Sequence, residues 1–268
     1  MEKLLGLALI DRSSRGSQLT PAGTLVVDWA REVIDAATSL EQGVSALRAQ
    51  QQGQLRVAAS MTVAEYLLPN WLVTAHRESN SVRIALTLAN STDVAISVLN
   101  GSADLGFVEG PSLSKGLRGR TVARDRLEIV VAPSHRWATR RRPIDAAELA
   151  ATPLIQREPG SGTRYTLSHA LERFSPVPPL LELSSTTAIK STVASGLAPA
   201  VISSLAVAID LAERRLVSIP VSGVDLQRRL RVVWATSRKL VGPSRDFVGL
   251  VSRGSSRRIA PTQAGGGA

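Results

Sequence analysis

Hydroxyl side chains recur at one kind of place in this sequence. Ser60 and Thr62 follow the apolar run "LRVAA", and Ser91 and Thr92 follow "RIALTLAN". Ser161 and Thr163 lie in "EPGSGT", and Ser184 and Thr186 lie in "SSTT". Each set stands between a strand-like segment and a helix-like one. A helix start offers free N–H groups and a partial positive charge, so hydroxyls there complete a cradle for a carboxylate or phosphate. The same residue types also cap helices with no ligand present, and for Thr62 alone the two readings stand level. Recurrence of the pattern in both halves of the chain favours ligand binding.

Other chemistries find little support. "EPGSGT" lacks the lysine of a G-x-x-x-x-G-K-[ST] loop, which argues against nucleotide hydrolysis. No G-x-S-x-G elbow occurs. The chain has no cysteine, which excludes disulfides, thiolate nucleophiles and Cys-zinc sites. His76, His135 and His169 show no H-x-x-x-H spacing and read as surface residues. The chain therefore reads as a binder and not an enzyme, with no metal and no cofactor expected. Aromatic residues make up 3%, so base stacking on single strands has little support, and Tyr66 and Trp71 read as core. The net charge of +10 suits an anionic partner.

The elements that must carry these hydroxyls alternate in type. "QLRVAAS", "VRIALTLA", "ADLGFV" and "LEIVVAP" read as strands, with "VAEYLLPNWLVTAHRES" and "STDVAISVLNGS" as helices between them. After a basic stretch, "RWATRRRP", a second set follows: "PLIQ", "LLELSS", "PAVISS" and "LVSIPV" as strands, "TRYTLSHALERF", "TTAIKSTVASG" and "LAVAIDLAERR" as helices. "RLRVVWA" and "SRDFVGLVS" close the pattern as strand and helix. Such alternation predicts an α/β fold with a mostly parallel sheet. Two sheets facing each other make a cleft, with ligands beyond the carboxyl ends of the strands. The arginine-rich stretch reads as the exposed connection between the two sets. The segment 252–268 has no apolar period and is expected to be disordered.

Residues 1–53 differ. "LIDRSSRGSQLTPAG" is a basic turn, with Thr20 placed to cap a helix and Pro21 at its first position. Val26, Ala30, Val33, Ala37, Leu40, Val44 and Leu47 then recur in steps of four and three, a heptad seam opposed by Arg31, Asp35, Glu41 and Arg48. A seam this narrow favours pairing between the helices of two chains over packing on its own domain. "LLGLALI" is short for an export signal, and Asp11 and Arg12 follow it with no small-residue cleavage site. No apolar run reaches a membrane span. A cytoplasmic, non-membrane protein is the expectation.

Four segments, in order, resemble the LysR-type transcriptional regulators. "MEKLLGLALIDRSSRGSQLTPAG" is similar to the end of that family's recognition helix, its wing and the start of its linker helix. "AASMTVAEYLLP", "VLNGSADLGFVEG" and "STTAIKSTVASGLAPAVISS" resemble segments of its effector domain. The resemblance implies a periplasmic-binding-protein-like effector domain of two subdomains, over residues 54–251. Subdomain I would take 54–132 and 229–251, and subdomain II 133–228. It also implies a linker helix over 21–53 that pairs chains into a dimer or tetramer. Residues 1–20 would be the remnant of a winged helix-turn-helix, with most of the reader helices absent. A start assigned too far downstream is expected, a real truncation being the alternative. The implied partners are promoter duplex DNA, met by Arg12 and Arg15 through phosphates in the full-length form, and a small, anionic effector. The effector would be held by Ser60, Thr62, Ser91, Thr92, Ser161, Thr163, Ser184 and Thr186. A two-lobed solute-binding protein and a regulatory fragment that pairs with intact regulators are the alternatives.

Overall fold

The computed structural model describes residues 1–13, 16–51, 54–78 and 83–254. They divide into two compact units, Met1–Gln51 and Gln52–Ala268.

In the first unit a short helix, α1 (Glu2–Leu5), precedes the hairpin β1 (Ile10–Ser13) and β2 (Gly16–Leu19), in which Ile10 faces Leu19 and Arg12 faces Ser17. The Glu2 carboxylate accepts the N–H groups of Leu9 at 2.6 Å and Ile10 at 3.1 Å. These bonds hold its pKa below the ordinary carboxylate value. The long helix α2 (Pro21–Gln51) follows. Thr20 Oγ1 accepts from the Gly23 N–H at 2.9 Å and donates to the Ala8 carbonyl at 2.7 Å, so one hydroxyl caps the helix and ties it to the chain before the hairpin. Along α2, Val26 is half-buried, and Ala30, Val33, Ala37, Leu40 and Val44 are exposed. The Leu47 side chain lies outside the described residues, as does Arg15. Leu25, Trp29 and Ile34 are exposed beside the seam. The apolar strip on this helix is thus wider than the heptad spacing alone indicates.

The second unit runs β3 (Gln54–Ser60), α3 (Met61–Tyr66), α4 (Leu68–Glu78), β4 (Arg83–Ala89), α5 (Ser91–Leu99), β5 (Leu105–Gly110) and β6 (Leu117–Val131). Then come β7 (Ile144–Asp145), α6 (Ala146–Ala150), β8 (Ile155–Arg157), α7 (Gly162–Ala170), β9 (Leu181–Leu183) and α8 (Thr186–Ala194). The unit ends with β10 (Ala200–Ser203), α9 (Ser204–Ala212), β11 (Val217–Ile219), β12 (Val221–Ser222), β13 (Gln227–Ala235) and α10 (Gly242–Gly254). The main sheet has the order β4-β3-β5-β13-β6-β10-β8-β9, with β11 also paired to β6.

Three expectations are corrected here. The sheet is mixed and not mostly parallel: β3 pairs β4 and β5 in parallel, but β13 pairs both β5 and β6 antiparallel, and β10 and β11 pair β6 antiparallel. The cause is β6. It starts at Leu117, well before "LEIVVAP", and runs through both halves of the sheet. The crossings between the two lobes are therefore β6 and the entry to β13, and "RWATRRRP" is not the connection. That stretch folds within the second lobe, where Trp137 is 2% exposed. The Trp137 Nε1–H donates to Glu148 at 2.9 Å, and Arg140 pairs with the same carboxylate at 2.6 Å. At the far end α10 continues to Gly254, so residues 252–254 are helical, and the rest of the expected tail, 255–268, lies outside the described residues.

Each lobe buries its own core. In lobe I, Leu55, Val57, Phe107, Val232 and Phe247 fill one face of the sheet. Val94, Val98 and Val108 fill the other. In lobe II, Ile129, Trp137, Leu149 and Leu167 form one cluster, and Ile155, Ile189, Val193 and Ile202 form the next.

Candidate functional site

Ser60 ends β3 and is the N-cap of α3, and Thr62 lies in the first turn of that helix. Ser161 is the N-cap of α7, with Thr163 in its first turn. All four are buried. They belong to different lobes, yet Thr62 and Thr163 meet the same partner. Arg228, near the start of β13, donates from Nη2 to Thr62 Oγ1 at 3.2 Å and from Nη1 to Thr163 Oγ1 at 2.9 Å.

Arg228 also holds two carboxylates. Its Nε–H donates to Asp125 Oδ2 at 2.7 Å, and Nη1 donates to Glu109 Oε2. The side chains of Arg228 and Asp125 are 0% exposed and that of Glu109 is 3%. Asp125 lies on β6 and takes a further hydrogen bond, 3.0 Å, from Ser204 Oγ at the start of α9. A charge in such a place must be paired and hydrogen-bonded, and each member of this cluster is. The cluster draws on both lobes and both crossing strands.

No local pattern points to Arg228, because its carboxylate partners lie 103 and 119 residues away. Glu109 carries a visible signal: it interrupts the otherwise apolar strand "LGFVEG".

The two serines behave differently from the two threonines. Neither makes a side-chain capping bond to its own helix. Among the described residues, Ser60 Oγ and Ser161 Oγ are the buried side-chain polar atoms with no hydrogen-bond partner. Most buried polar groups are satisfied, so two unspent hydroxyls at helix starts need an explanation.

Beside the cluster is a cavity of about 410 Å³, lined by Glu109 of the cluster and by Ser161, though not by Ser60. Ser91, Thr92, Ser112, Ser114, Ser168, Arg164 and Tyr165 also line the cavity. Ser91 Oγ accepts the Glu109 N–H at 3.1 Å. The N–H of Thr92 donates to the Gly160 carbonyl at 3.2 Å, so the lobes touch here. Arg164 is held by Glu182 at 2.6 Å. Gly162 explains how close the lobes come: a Cβ built there would lie 2.6 Å from the Glu109 carbonyl oxygen. Of the last pair, Thr186 is buried but Ser184 is exposed, and Ser185 caps α8 by accepting from the Ala188 N–H.

The histidines stand apart from this cleft. His135 Nδ1 accepts the Trp137 N–H at 3.2 Å, and burial lowers its pKa. At the end of α3, burial and then the neighbouring Glu65 push the Tyr66 hydroxyl up to about 12. Tyr66 is therefore a proton donor across the physiological range. Trp71 packs against Phe107 with ring centroids 5.5 Å apart, as a core residue does.

This two-lobed arrangement has close relatives. The family described as the LysR substrate binding domain matches residues 48–255. An HTH-type transcriptional regulator of Mycobacterium tuberculosis is 41% identical over 267 residues, covering 96% of this chain and 86% of the relative. Among solved structures, the CcmR regulatory domain of Synechocystis PCC6803 in complex with 2-PG superposes with a TM-score of 0.69 at 23% identity, covering 76% of this chain and 98% of that one. The effector binding domain of QuiR in complex with shikimate gives 0.66 at 14% identity, covering 75% and 95%. The family match and the 41% identical relative are of transcriptional regulators, a family that is not enzymatic, which decides against the solute-binding alternative. The chain belongs to the LysR family of transcriptional regulators.

Proposed function

We propose that the cleft between the lobes binds a small anionic metabolite, and that its occupancy sets the regulatory state of the protein. The observation that carries this is the pair of unspent buried hydroxyls, Ser60 and Ser161, one from each lobe. Each can donate to a ligand oxygen, and each sits where a helix start favours negative charge. Arg228 is already committed to Glu109 and Asp125, and one guanidinium against two carboxylates leaves the cluster acidic. A singly charged ligand with further hydroxyl groups suits this environment better than a polyanion. The cavity, rich in hydroxyls, has room for such a molecule. QuiR, which shares the fold, holds shikimate, a hydroxylated carboxylate, and CcmR holds 2-PG.

Thr62 and Thr163 act in this reading by joining the lobes to Arg228. Ser91 and Thr92 line the approach, and Thr186 supports α8. Ser184 stands at the exposed edge. A ligand that binds one arrangement of lobes better than another shifts the equilibrium by that difference in affinity. The helix α2 then pairs with α2 of a second copy, carrying the change between subunits. Arg12 and Arg15 meet DNA phosphates. Phosphate contacts position the protein without specifying sequence.

The test is a thermal-shift screen of hydroxylated mono- and dicarboxylates, followed by calorimetry on Ser60→Ala and Ser161→Ala. A hydrogen bond to a charged group contributes about 1.5–3 kcal/mol, so each variant should bind the best hit roughly ten- to a hundredfold more weakly. Unchanged affinity in both variants returns the serines to a purely structural role.

A further inference from the structure

The face of β13 opposite Arg228 carries a second set of arginines that the cleft does not use. Strands alternate their side chains, so Arg229 and Arg231 share one face while Arg228, Leu230 and Val232 share the other. In the antiparallel pairing of β13 with β6, Arg229 stands directly across from Arg124. Like charges directly opposite each other on a sheet are unfavourable. Arg124 and Arg229 are both exposed, and among the described residues neither has an ion-pair partner. Their neighbours differ: Arg126 is paired with Glu128 at 2.6 Å, and Arg228 with two carboxylates.

Arg231 adds a third positive charge to this face. It is 8% exposed, and among the described residues it has no ion-pair partner. Its guanidinium donates to the carbonyls of Gly110 at 2.5 Å and Pro111 at 3.0 Å. Burial, and then the charge of Arg229, lower its pKa. A buried cation balanced only by carbonyl dipoles is costly, and the charge of Arg229 beside it adds to that cost. A bound anion removes both problems.

We propose that Arg124, Arg229 and Arg231 form an oxyanion site on the face of the crossing strands opposite Arg228, and that it takes a phosphate group. Arg124 and Arg229 supply the accessible donors in two forks suited to phosphate oxygens, and Arg231 supplies charge from beneath. The phosphate belongs either to a nucleic-acid backbone or to a free phosphorylated small molecule. The site is distinct from the Arg228 cluster, which lies on the opposite face of β13, and none of its three arginines lines the cavity beside that cluster. Because β6 and β13 are the strands that pass between the lobes, an anion bridging them ties the crossing together.

The experiment uses the whole 268-residue chain and the variant Arg124→Gln/Arg229→Gln. Thermal unfolding is followed in inorganic phosphate and in chloride at matched ionic strength. Phosphate should raise the Tm of the parent by a few degrees and leave that of the variant unmoved. In chloride the variant should be at least as stable as the parent, because the opposed charges are gone. Absence of a phosphate-specific rise in the parent, or an equal rise in the variant, overturns the proposal. So does a variant clearly less stable in chloride, because the arginines would then hold the strands together with no anion. Titration with a mixed-sequence DNA duplex identifies the source. A salt-dependence slope lower by about two in the variant, near 0.9 per phosphate contact, assigns the site to nucleic acid. An unchanged slope, or no duplex binding by either protein, assigns it to a free phosphorylated molecule.

Discussion

Replacing Arg228 with methionine should damage this protein more than any surface change. The substitution keeps the apolar stem and removes the guanidinium. Glu109 and Asp125 then remain in a site where their side chains are 3% and 0% exposed, with no cation beside them. Removing one partner of a buried ion pair typically costs about 3–5 kcal/mol, because the other charge is stranded. Here two carboxylates are stranded, and Thr62 and Thr163 lose their donor, so the upper end of that range applies. For a domain of this size each kcal/mol is worth roughly 2–4 °C, which puts the loss at roughly 10–20 °C. Urea unfolding, followed by tryptophan fluorescence at neutral pH, measures it. The companion variant Arg228→Met/Glu109→Gln/Asp125→Asn removes the stranded charges and should recover most of the loss. If Arg228→Met unfolds at the same urea concentration as the parent, the cluster does not hold the lobes. If the triple variant is no better than the single one, packing and not charge explains the damage.

Glu148 offers a pH test. The Arg140 hydrogen bond, and then that of Trp137, hold its pKa below the ordinary value of 4.5. A depressed folded-state pKa contributes stability above the unfolded value, lost as pH falls through the folded one. Glu148→Gln should therefore be less stable than the parent at pH 7, by roughly 1 kcal/mol. The gap should narrow below about pH 4, and a gap that stays constant with pH refutes the assignment. On α2, Val33 and Leu40 are 68% and 69% exposed. The pair Val33→Asp/Leu40→Asp should convert an oligomer to monomer in light scattering, and a parent already monomeric at micromolar concentration removes the pairing proposal. Gly162→Ala should lower stability by about 1–3 kcal/mol, the usual cost of overpacking. It should also weaken any effector found by the screen, since the new methyl forces Glu109 and α7 apart. A variant that melts and binds like the parent would mean that the lobes need not approach this closely.

Much of the fold could be read in advance because it rests on local patterns. β3, β4 and β5 show as apolar runs between turn residues, and the hydroxyls at helix starts mark the ends that face the cleft. Thr20 and Pro21 announce α2. The gaps share a cause. The first half of β6, "LRGRTVARDR", alternates arginine with small or apolar residues. Read alone, it looks like a solvated loop, and only pairing with β13 more than a hundred residues later makes it a strand. Likewise "RWATRRRP" looks exposed because four arginines outweigh one tryptophan, although Trp137 is the residue that anchors it. The α3–α4 region reads as one helix, yet the structure breaks it at Leu67, with Pro69 kept to the first turn of α4, where it is tolerated. The cleft chemistry was half visible: its hydroxyls follow a local rule, whereas the ion cluster exists only once distant strands meet.

The position of β13 has a consequence for how the chain is made. Lobe II is built from one continuous stretch, with core residues running from Leu127 to Leu226. Lobe I is not, because β13 lies between β5 and β6 and supplies Leu230 and Val232 to its core. On the ribosome, residues that begin lobe I emerge first but must wait for a strand from near the end of the chain. Lobe II, though later in sequence, is the first of the two with all its parts in hand. Until β13 arrives, β5 and β6 each have an open edge, and it is in this interval that the nascent chain is most exposed to mispairing.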